Sequence, residues 1–480
     1  MQLLSVASEI YPLIKTGGLA DVAGALPSAL AEQGIAVRTL VPGYPSLLSK
    51  VDKAKAVRRY DALFGAPATV LAAKAGDLDL LILDAPDFFA REGGPYGDMG
   101  GADWPDNWRR FAALSRVGAD IAADGVKGWR PDLVHAHDWQ AAMTAAYMRF
   151  GSAHAVPKVL TIHNLAFQGR FGADIFASLD LPAEAWAVDG VEYYGGIGFL
   201  KGGLVSADAI TTVSPTYAQE IRSPVHGMGL DGLINGRADR LHGILNGVET
   251  AIWDPATDAL IARRYTARAL GARSSNRRAL EKHFALDRDD APIFIIVSRL
   301  TWQKGMDMVV GAIDHLVGLG GKLAVLGSGD HPLEGAFLAA ADRHRGRVGA
   351  QIGYDEPLSH LMQAGADAIL IPSRFEPCGL TQLYGLRYGC VPVVARVGGL
   401  ADTVIDANEA AVGAGAATGL VFPPADPLAL HGAIARTVQL HSDKSLWQAM
   451  QRAGMRADFS WTHSAARYAD LFRTLVQGAA

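Results

Sequence analysis

The chain has 480 residues, of which 50% are hydrophobic and 19% charged, and its formal net charge is −5. This length predicts two or three domains with large cores, and the weakly acidic balance argues against a broad basic surface for nucleic acid. The two cysteines exclude a disulfide scaffold and suit a reducing compartment. We expect a cytoplasmic protein without a signal peptide, because no basic segment opens the chain and no apolar run approaches the ~20 residues of a membrane span.

The first predicted element is a strand at residues 3–7, followed by a glycine loop and a helix at 22–32. The loop reads Lys15-Thr16-Gly17-Gly18-Leu19-Ala20-Asp21. Glycines let a backbone approach a diphosphate closely, and the N-terminus of the next helix offers free N–H groups and a partial positive charge. Lys15 adds a full charge there. The loop therefore predicts a phosphate-bearing substrate at the carboxyl edge of a parallel sheet.

Short apolar runs of strand length alternate with helical patterns along the rest of the chain. Runs this uniformly apolar are typical of parallel strands covered on both faces, which predicts an α/β fold with doubly wound sheets. The further predicted strands are 37–41, 78–83, 133–136, 158–162, 209–213, 293–297, 322–326, 348–352, 368–371 and 391–395.

The alternation pauses between about residues 243 and 291, where a turn signal at Asn246-Gly247 precedes a segment rich in arginine. We therefore predict a domain of residues 1–245 and a second of residues 246–459. The last helical pattern, 463–476, has the length to pack on either domain, and we assign residues 460–480 to the first.

Polar side chains follow two neighbouring predicted strands in the first half. One strand ends in His135-Ala136-His137-Asp138-Trp139 and the next in His163-Asn164. These residues suit sugar binding, with an aromatic ring covering the apolar face of a pyranose. A metal site is the alternative, although no cysteine or glutamate lies at ligand spacing. Asp77-Leu78-Asp79 resembles the Asp-x-Asp motif of metal-dependent sugar transferases, but three residues are little information and they open a strand.

In the second half, Arg299 and Lys304 lie between the predicted strand 293–297 and the following helix. Cations held in such a place stabilise the negative charge of a departing diphosphate, whereas the simpler interpretation is two solvated surface charges. The next strand ends near Gly327, in the segment Gly327-Ser328-Gly329. This segment lacks the third glycine of a dinucleotide-binding fingerprint, and a plain tight turn is an equally good interpretation.

The densest motif is residues 372–382, with Glu376, Cys378, Gly379, Leu380 and Thr381 before a helix. Glu376 fits as an acceptor for sugar hydroxyls or a neighbour of developing positive charge at an anomeric carbon. The alternative is a glutamate that caps the helix. No base is recognisable for Cys378, so we favour packing or substrate contact over a nucleophile.

Together these motifs resemble those of bacterial glycogen synthases and plant starch synthases. The matching segments are SEIYPLIKTGGLADVAGALP, HAHDWQ, TIHNLAFQG, ILNGV, SRLTWQKG and SRFEPCGLTQLYGLRYG. The resemblance implies a GT-B fold, two Rossmann-like domains facing across a deep cleft. It also implies retaining transfer of glucose from ADP-glucose to the non-reducing end of an α-1,4-glucan, with no metal and no pyridoxal phosphate.

The resemblance also implies roles for residues of this chain. Lys15 and the Gly17-Gly18 loop meet the donor, Arg299 and Lys304 bind the diphosphate of the leaving ADP, and Glu376 holds glucose hydroxyls. The remaining expected contacts are His163, Asn246, Asp138 and Trp139 around the sugar and acceptor, and Asp21, Gly327, Cys378, Gly379, Leu380 and Thr381 toward the donor.

One position departs from many retaining GT-B enzymes, which have a second glutamate eight residues after the first, although synthases of this type resemble this sequence there. This chain has Tyr384 there, so the ribose contact of that glutamate is unassigned. Asp138 is the nearest candidate for a nucleophile, but we favour same-face attack assisted by the leaving phosphate. A covalent glucosyl adduct on Asp138, seen by mass spectrometry, would contradict this mechanism.

Three other functions remain possible at this point: an α-glucan phosphorylase, another GT-B sugar transferase, and a glucan-binding protein without activity. The oligomeric state and the choice between ADP-glucose and UDP-glucose are not predicted by residues alone.

Overall fold

The computed structural model describes residues 1–479, and the chain divides into two compact units. The first unit contains Met1–Gly247 together with the segment from Trp461 onward, and the second is Val248–Ser460. Each unit has its own sheet and hydrophobic core. No helix among residues 1–479 is both long enough and apolar enough to cross a bilayer.

Residues 1–247 of the first unit contain twelve strands and eight α-helices. The strands are β1 (Gln2–Val6), β2 (Ala36–Pro42), β3 (Asp52–Leu63), β4 (Ala66–Ala75), β5 (Leu78–Asp84), β6 (Leu133–His137), β7 (Lys158–Ile162), β8 (Arg170–Phe171), β9 (Glu192–Tyr193), β10 (Gly196–Gly198), β11 (Ala209–Thr212) and β12 (Leu241–Gly243). The helices are α1 (Gly18–Glu32), α2 (Pro45–Leu48), α3 (Pro86–Phe89), α4 (Asn107–Asp124), α5 (Asp138–Arg149), α6 (Phe199–Ser206), α7 (Pro215–Glu220) and α8 (Asp231–Asn235).

The main sheet of this unit has the order β12-β11-β7-β6-β1-β2-β5-β4-β3. The strands from β12 to β5 are parallel, and β4 and β3 continue the sheet in antiparallel fashion. The chain winds outward from β1 to β2 and later returns to β6 on the other side of β1. This reversal makes the carboxyl ends of β1 and β6 the place where doubly wound sheets bind ligands.

The second unit has one parallel sheet between helices. Its strands are β13 (Ile293–Val297), β14 (Lys322–Gly327), β15 (Val348–Ile352), β16 (Ala368–Ile371), β17 (Val391–Ala395) and β18 (Leu420–Phe422). Its helices are α9 (Arg273–His283), α10 (Met306–Gly318), α11 (His331–Arg343), α12 (Glu356–Gly365), α13 (Thr381–Tyr388), α14 (Gly398–Thr403), α15 (Glu409–Gly413), α16 (Pro427–Ser442) and α17 (Lys444–Arg456). The order β15-β14-β13-β16-β17-β18 reverses between β13 and β16.

The last helix, α18 (Trp461–Ala479), packs on α1 of the first unit. Its residues Trp461, Tyr468 and Phe472 share a buried cluster with Leu26 and Leu30. The helix therefore works together with α1 to cover one face of the first sheet.

All the strands predicted from the sequence are present, with ends shifted by a residue or two. Seven strands among residues 1–479 were not predicted: the short β8, β9, β10, β12 and β18, and the longer β3 and β4, which form an antiparallel hairpin at the edge of the first sheet. Most of β3 is exposed and its sequence is rich in charged residues, so it lacks the apolar run that marks a buried parallel strand.

A buried ionic network joins the amino ends of the strands in the second unit, at the edge opposite the reversal loops. Asp367, just before β16, accepts hydrogen bonds from the Ile293 backbone at 2.9 Å and from Arg277 at 2.5 Å. His441 lies 3.4 Å away. Burial raises the pKa of Asp367, but the bond to His441 and the charge of Arg277 outweigh it and hold the pKa well below the ordinary value.

We expect Asp367→Asn to lower the free energy of unfolding by about 3–5 kcal/mol at pH 7, because it removes the buried carboxylate that accepts hydrogen bonds from Arg277 and from the Ile293 backbone. The folded-state pKa is depressed, so this contribution is complete above the unfolded-state pKa of about 3.9 and is lost as the pH falls below it. Urea unfolding at pH 7, 5 and 3.5 measures the difference, with the exposed Asp342→Asn as control. A difference that grows toward acid pH contradicts the prediction.

Candidate active site

Lys15, Thr16 and Gly17 lie between β1 and α1, at the reversal point of the first sheet, whereas residues 18–21 form the first turn of α1, which begins four residues before the predicted helix. Lys15 is about one-third exposed, and its Nζ lies 2.7 Å from Asp21 Oδ1. A Cβ added to Gly17 or Gly18 would meet no heavy atom within 4 Å, and no side chain caps α1. Packing within the protein therefore does not require these glycines, and the space in front of them is open to a ligand.

Glu9 holds this loop, a role that the sequence analysis missed. The Glu9 carboxylate is buried and accepts hydrogen bonds from Thr16 Oγ1 at 2.6 Å, from Gly17 N at 3.3 Å, from Thr16 N, and from the Tyr96 hydroxyl. A buried carboxylate requires such donors. An acidic residue directly after an apolar strand was the available signal, whereas Tyr96 had none because it comes from a distant loop.

The histidines at the ends of β6 and β7 are hydrogen-bonded within the protein: His137 pairs with His163, and His135 pairs with Thr161. His137 Nδ1 lies 3.0 Å from His163 Nε2, and His135 Nε2 lies 2.5 Å from Thr161 Oγ1. Burial lowers the pKa of His137 to about 3 and holds those of His135 and His163 well below the usual value, so all three are neutral at pH 7. No three His, Cys, Asp or Glu side chains among residues 1–479 cluster as metal ligands would.

Asp138 begins α5 in a strained conformation. Its φ of +56° is in the left-handed region, which costs energy and is commonest at functional positions. Its Oδ1 accepts the backbone N–H groups of His163 at 2.7 Å and Asn164 at 3.4 Å. Burial raises the pKa of Asp138 to about 7, although both N–H donors favour the ionised form.

Trp139 and Asn246 have different surroundings. The Trp139 ring is 8% exposed and packs edge-on against Phe111 and beside Phe171 and Phe199. Trp139 thus supports the strand ends by packing, and its contact with a sugar remains a prediction. Asn246 is 5% exposed, and its Oδ1 accepts no hydrogen bond from residues 1–479, so this oxygen has a free acceptor position.

In the second unit, Glu376 is joined to Lys304 across the reversal point of the sheet. Lys304 Nζ lies 2.5 Å from Glu376 Oε2, which also accepts the Ser373 hydroxyl at 2.8 Å. Glu376 is 6% exposed. The interpretation of Glu376 as a helix cap is wrong, because Leu380 is the N-cap of α13 and no side chain caps it. The interpretation of Lys304 as a solvated surface charge is also wrong, because its ammonium group pairs with the buried Glu376.

The loops that carry these two residues contact each other at Gly305. Gly305 has a φ of +71°, and a Cβ there would lie 2.1 Å from the Pro372 carbonyl oxygen. Arg374 reinforces this contact with two hydrogen bonds to Asp307, at 2.7 and 2.8 Å. The position of Lys304 relative to Glu376 is therefore fixed by backbone packing before any ligand binds.

Arg299 is exposed at the end of β13, and its guanidinium has no hydrogen-bond or ion-pair partner among residues 1–479. It is thus available to an anionic ligand without the loss of an ion pair, whereas Lys15 and Lys304 are already paired with carboxylates.

Gly327 and the residues before α13 have structural roles as well as predicted ones. A Cβ at Gly327 would lie 2.0 Å from the Ser298 carbonyl oxygen, so glycine is needed where the ends of β13 and β14 approach. The buried Gln382 amide donates to the carbonyl oxygens of Cys378 at 3.0 Å and Gly379 at 2.9 Å. These bonds fix the turn, and the predicted contacts of Gly327 and residues 378–381 with a substrate remain predictions.

We expect Glu9→Gln to loosen the glycine loop, because an amide replaces one acceptor oxygen with a donor that faces other donors. The loss of hydrogen bonds to a charged group, about 1.5–3 kcal/mol each, predicts roughly 10- to 100-fold faster hydrogen exchange at the Thr16 and Gly17 amides. Tyr96→Phe removes only one of the four donors and should have a smaller effect. Unchanged exchange in Glu9→Gln would contradict the assigned role.

Comparison with known proteins identifies the family of this chain. Residues 2–236 match the model of the starch synthase catalytic domain, and residues 279–454 match that of the group 1 glycosyl transferases. The chain is 63% identical to a glycogen synthase of Mesorhizobium japonicum over 476 residues and 61% identical to glycogen synthase 1 of Rhizobium meliloti over 477, with 99% of both chains covered in each case.

Solved structures give the same result for the fold. The catalytic domain of starch synthase IV from Arabidopsis thaliana, bound to ADP and acarbose, matches with a TM-score of 0.88 at 30% identity over 99% of both chains. A sucrose-phosphate synthase from Thermosynechococcus elongatus matches with a TM-score of 0.59 at 18% identity, which shows a shared fold alone. The chain therefore has the GT-B fold and belongs to the glycogen synthase family of glycosyltransferases.

Proposed function

We propose that this glycosyltransferase moves glucose from ADP-glucose to the non-reducing end of an α-1,4-glucan, with retention at the anomeric carbon. Family membership supports a nucleotide-sugar donor and a glucan acceptor. The ADP in the starch synthase IV structure favours an adenine nucleotide. The observation that carries the proposal is the Lys304–Glu376 pair with the unpartnered Arg299 at the reversal point of the second sheet.

The second unit supplies groups for the leaving nucleotide. Arg299 brings an uncompensated positive charge, whereas the charge of Lys304 is balanced by Glu376 before the donor binds. The developing diphosphate charge would draw on both cations, which need no reorganisation because their loops are fixed. Glu376 would accept glucose hydroxyls while holding Lys304 in place.

The first unit supplies the glycine loop and the strand ends. We propose that Lys15 and the open backbone at Gly17-Gly18 meet the donor, and that Asp21 orients Lys15. His163 is neutral, so it can donate to or accept from a sugar hydroxyl without a charge. The free oxygen of Asn246 is suited to a hydroxyl donor.

Asp138 is better suited to positioning than to nucleophilic attack. One of its oxygens binds two backbone N–H groups, and burial raises its pKa to about 7, so a large fraction is protonated at neutral pH. These properties support same-face attack, in which a phosphate oxygen of the leaving ADP accepts the proton of the incoming hydroxyl. The cations of the second unit would then hold the short-lived ion pair together.

We propose that the reaction uses neither a metal nor pyridoxal phosphate, and that the protein is cytoplasmic. The two cysteines, Cys378 and Cys390, are both free and buried, which suits a reducing compartment. Membership of the synthase family argues against a phosphorylase. Visible cofactor absorbance in the purified protein would argue for one.

The direct test is incorporation of labelled glucose into glycogen from ADP-glucose and from UDP-glucose in parallel. We expect ADP-glucose to be the preferred donor, and digestion of the product by an α-1,4-specific amylase should release the label. Equal use of both donors would overturn the choice of nucleotide, and no transfer from either would overturn the proposed function.

We expect Lys15→Ala and Glu376→Ala each to lower kcat by roughly 100-fold or more, because each removes a group that would act on the transition state. Steady-state kinetics with saturating glycogen measures the effect. Lys74→Ala and Glu409→Ala, exposed residues of the same type in the same units, are the matched controls. Full turnover in either test variant would remove that residue from the site.

A further inference from the structure

Trp253 lies between two other rings in the second unit. Its ring is stacked on His360, with centroids 3.8 Å apart and planes 15° apart. Its other face is stacked on Tyr384 at 3.7 Å and 7°. Trp253 is 8% exposed and His360 is 1% exposed. The Tyr384 face that touches Trp253 is therefore already occupied.

A buried polar cluster fixes the far side of this stack. Asp258 Oδ2 accepts the Tyr388 hydroxyl at 2.6 Å and lies 2.8 Å from His360 Nδ1. Tyr388 is itself held by Tyr265, whose hydroxyl donates to the Tyr388 carbonyl oxygen at 2.7 Å. His360 on α12 and Tyr388 on α13 are thus joined to the connecting segment that contains Trp253 and Asp258.

The stack reaches the donor residues through the first turn of α13. The Tyr384 backbone N–H donates to the Leu380 carbonyl oxygen at 3.0 Å. Residues 378–381 directly precede or begin this helix, and Gln382 ties the carbonyl oxygens of Cys378 and Gly379 to it. A shift of Tyr384 along or around the helix axis would therefore move the residues expected to meet the donor.

We propose that Trp253 is a positioning residue for the donor nucleotide, acting through Tyr384 to fix the start of α13. The proposal rests on the proposed function, because residues 378–381 are donor contacts only there. It also explains the departure at position 384. A stack requires an aromatic ring where other retaining GT-B enzymes have a carboxylate.

The test compares Trp253→Leu with Trp447→Leu, a second buried tryptophan of the same unit, on α17. Both substitutions remove an indole from a core, but only the first removes the stack. Calorimetry with ADP gives the nucleotide affinity without turnover, and steady-state kinetics gives KM for ADP-glucose, KM for glycogen and kcat.

We expect Trp253→Leu to raise the ADP Kd and the ADP-glucose KM about five- to tenfold, which lies within the roughly 2- to 13-fold effect of a lost aromatic pair. The KM for glycogen and the values for Trp447→Leu should stay within about twofold of the parent. Trp253→Phe should recover most of the affinity, since it restores a ring. Equal ADP affinity in Trp253→Leu and Trp447→Leu overturns the proposal.

A second pair keeps the proposal testable if Trp253→Leu does not fold. Tyr384→Phe retains the ring without the hydroxyl and should keep ADP affinity, whereas Tyr384→Leu should lose it. Loss of affinity in Tyr384→Phe would show that the hydroxyl itself contacts the nucleotide and would overturn the stack. A parent protein that binds ADP but transfers no glucose would overturn only the proposed function.

Discussion

A buried carboxylate that must find hydrogen-bond donors organises the ligand-facing loop in each unit. Glu9 in the first unit binds the backbone and hydroxyl of Thr16, and Glu376 in the second binds Lys304 and Ser373. Because an unpaired buried charge is very unfavourable, each loop is held in the one conformation that supplies these donors. The open backbone at Gly17 and the position of Lys304 both depend on this requirement.

Each lysine of the candidate site is paired with a carboxylate of its own unit before a ligand binds. Lys15 is paired with Asp21 and Lys304 with Glu376, while the Arg299 side chain has no partner within residues 1–479. A paired lysine remains oriented by its carboxylate, and it needs only a small adjustment to contact a phosphate. The unpaired arginine then gives the net attraction for an anion. This division of roles follows from the contacts of each cation and is not apparent from its residue type.

The fold was largely predictable from the sequence because buried parallel strands form continuous apolar runs. The edge hairpin β3–β4 was not, since β3 is mostly exposed and charged and β4 mixes buried residues with half-buried and exposed ones. For the site, the residues that follow strand ends were identified, whereas Tyr96 and Trp253 act from segments distant in sequence and have no local signal. From the sequence, Tyr384 is recognisable only as a tyrosine at a position where many retaining GT-B enzymes have glutamate. Its stacking on Trp253 depends on how α13 packs against residues 248–270, which no local pattern encodes.

The order of the units along the chain has a consequence for synthesis on the ribosome. The second unit is one continuous segment, whereas the first needs α18, which follows the second unit in the chain. Until α18 is made, the apolar surface around Leu26 and Leu30 that it covers remains exposed to solvent and to chaperones. All the strands of the first sheet are translated before the second unit, but the helix that helps to cover them is translated last, so the first unit is completed only after the second unit has been made.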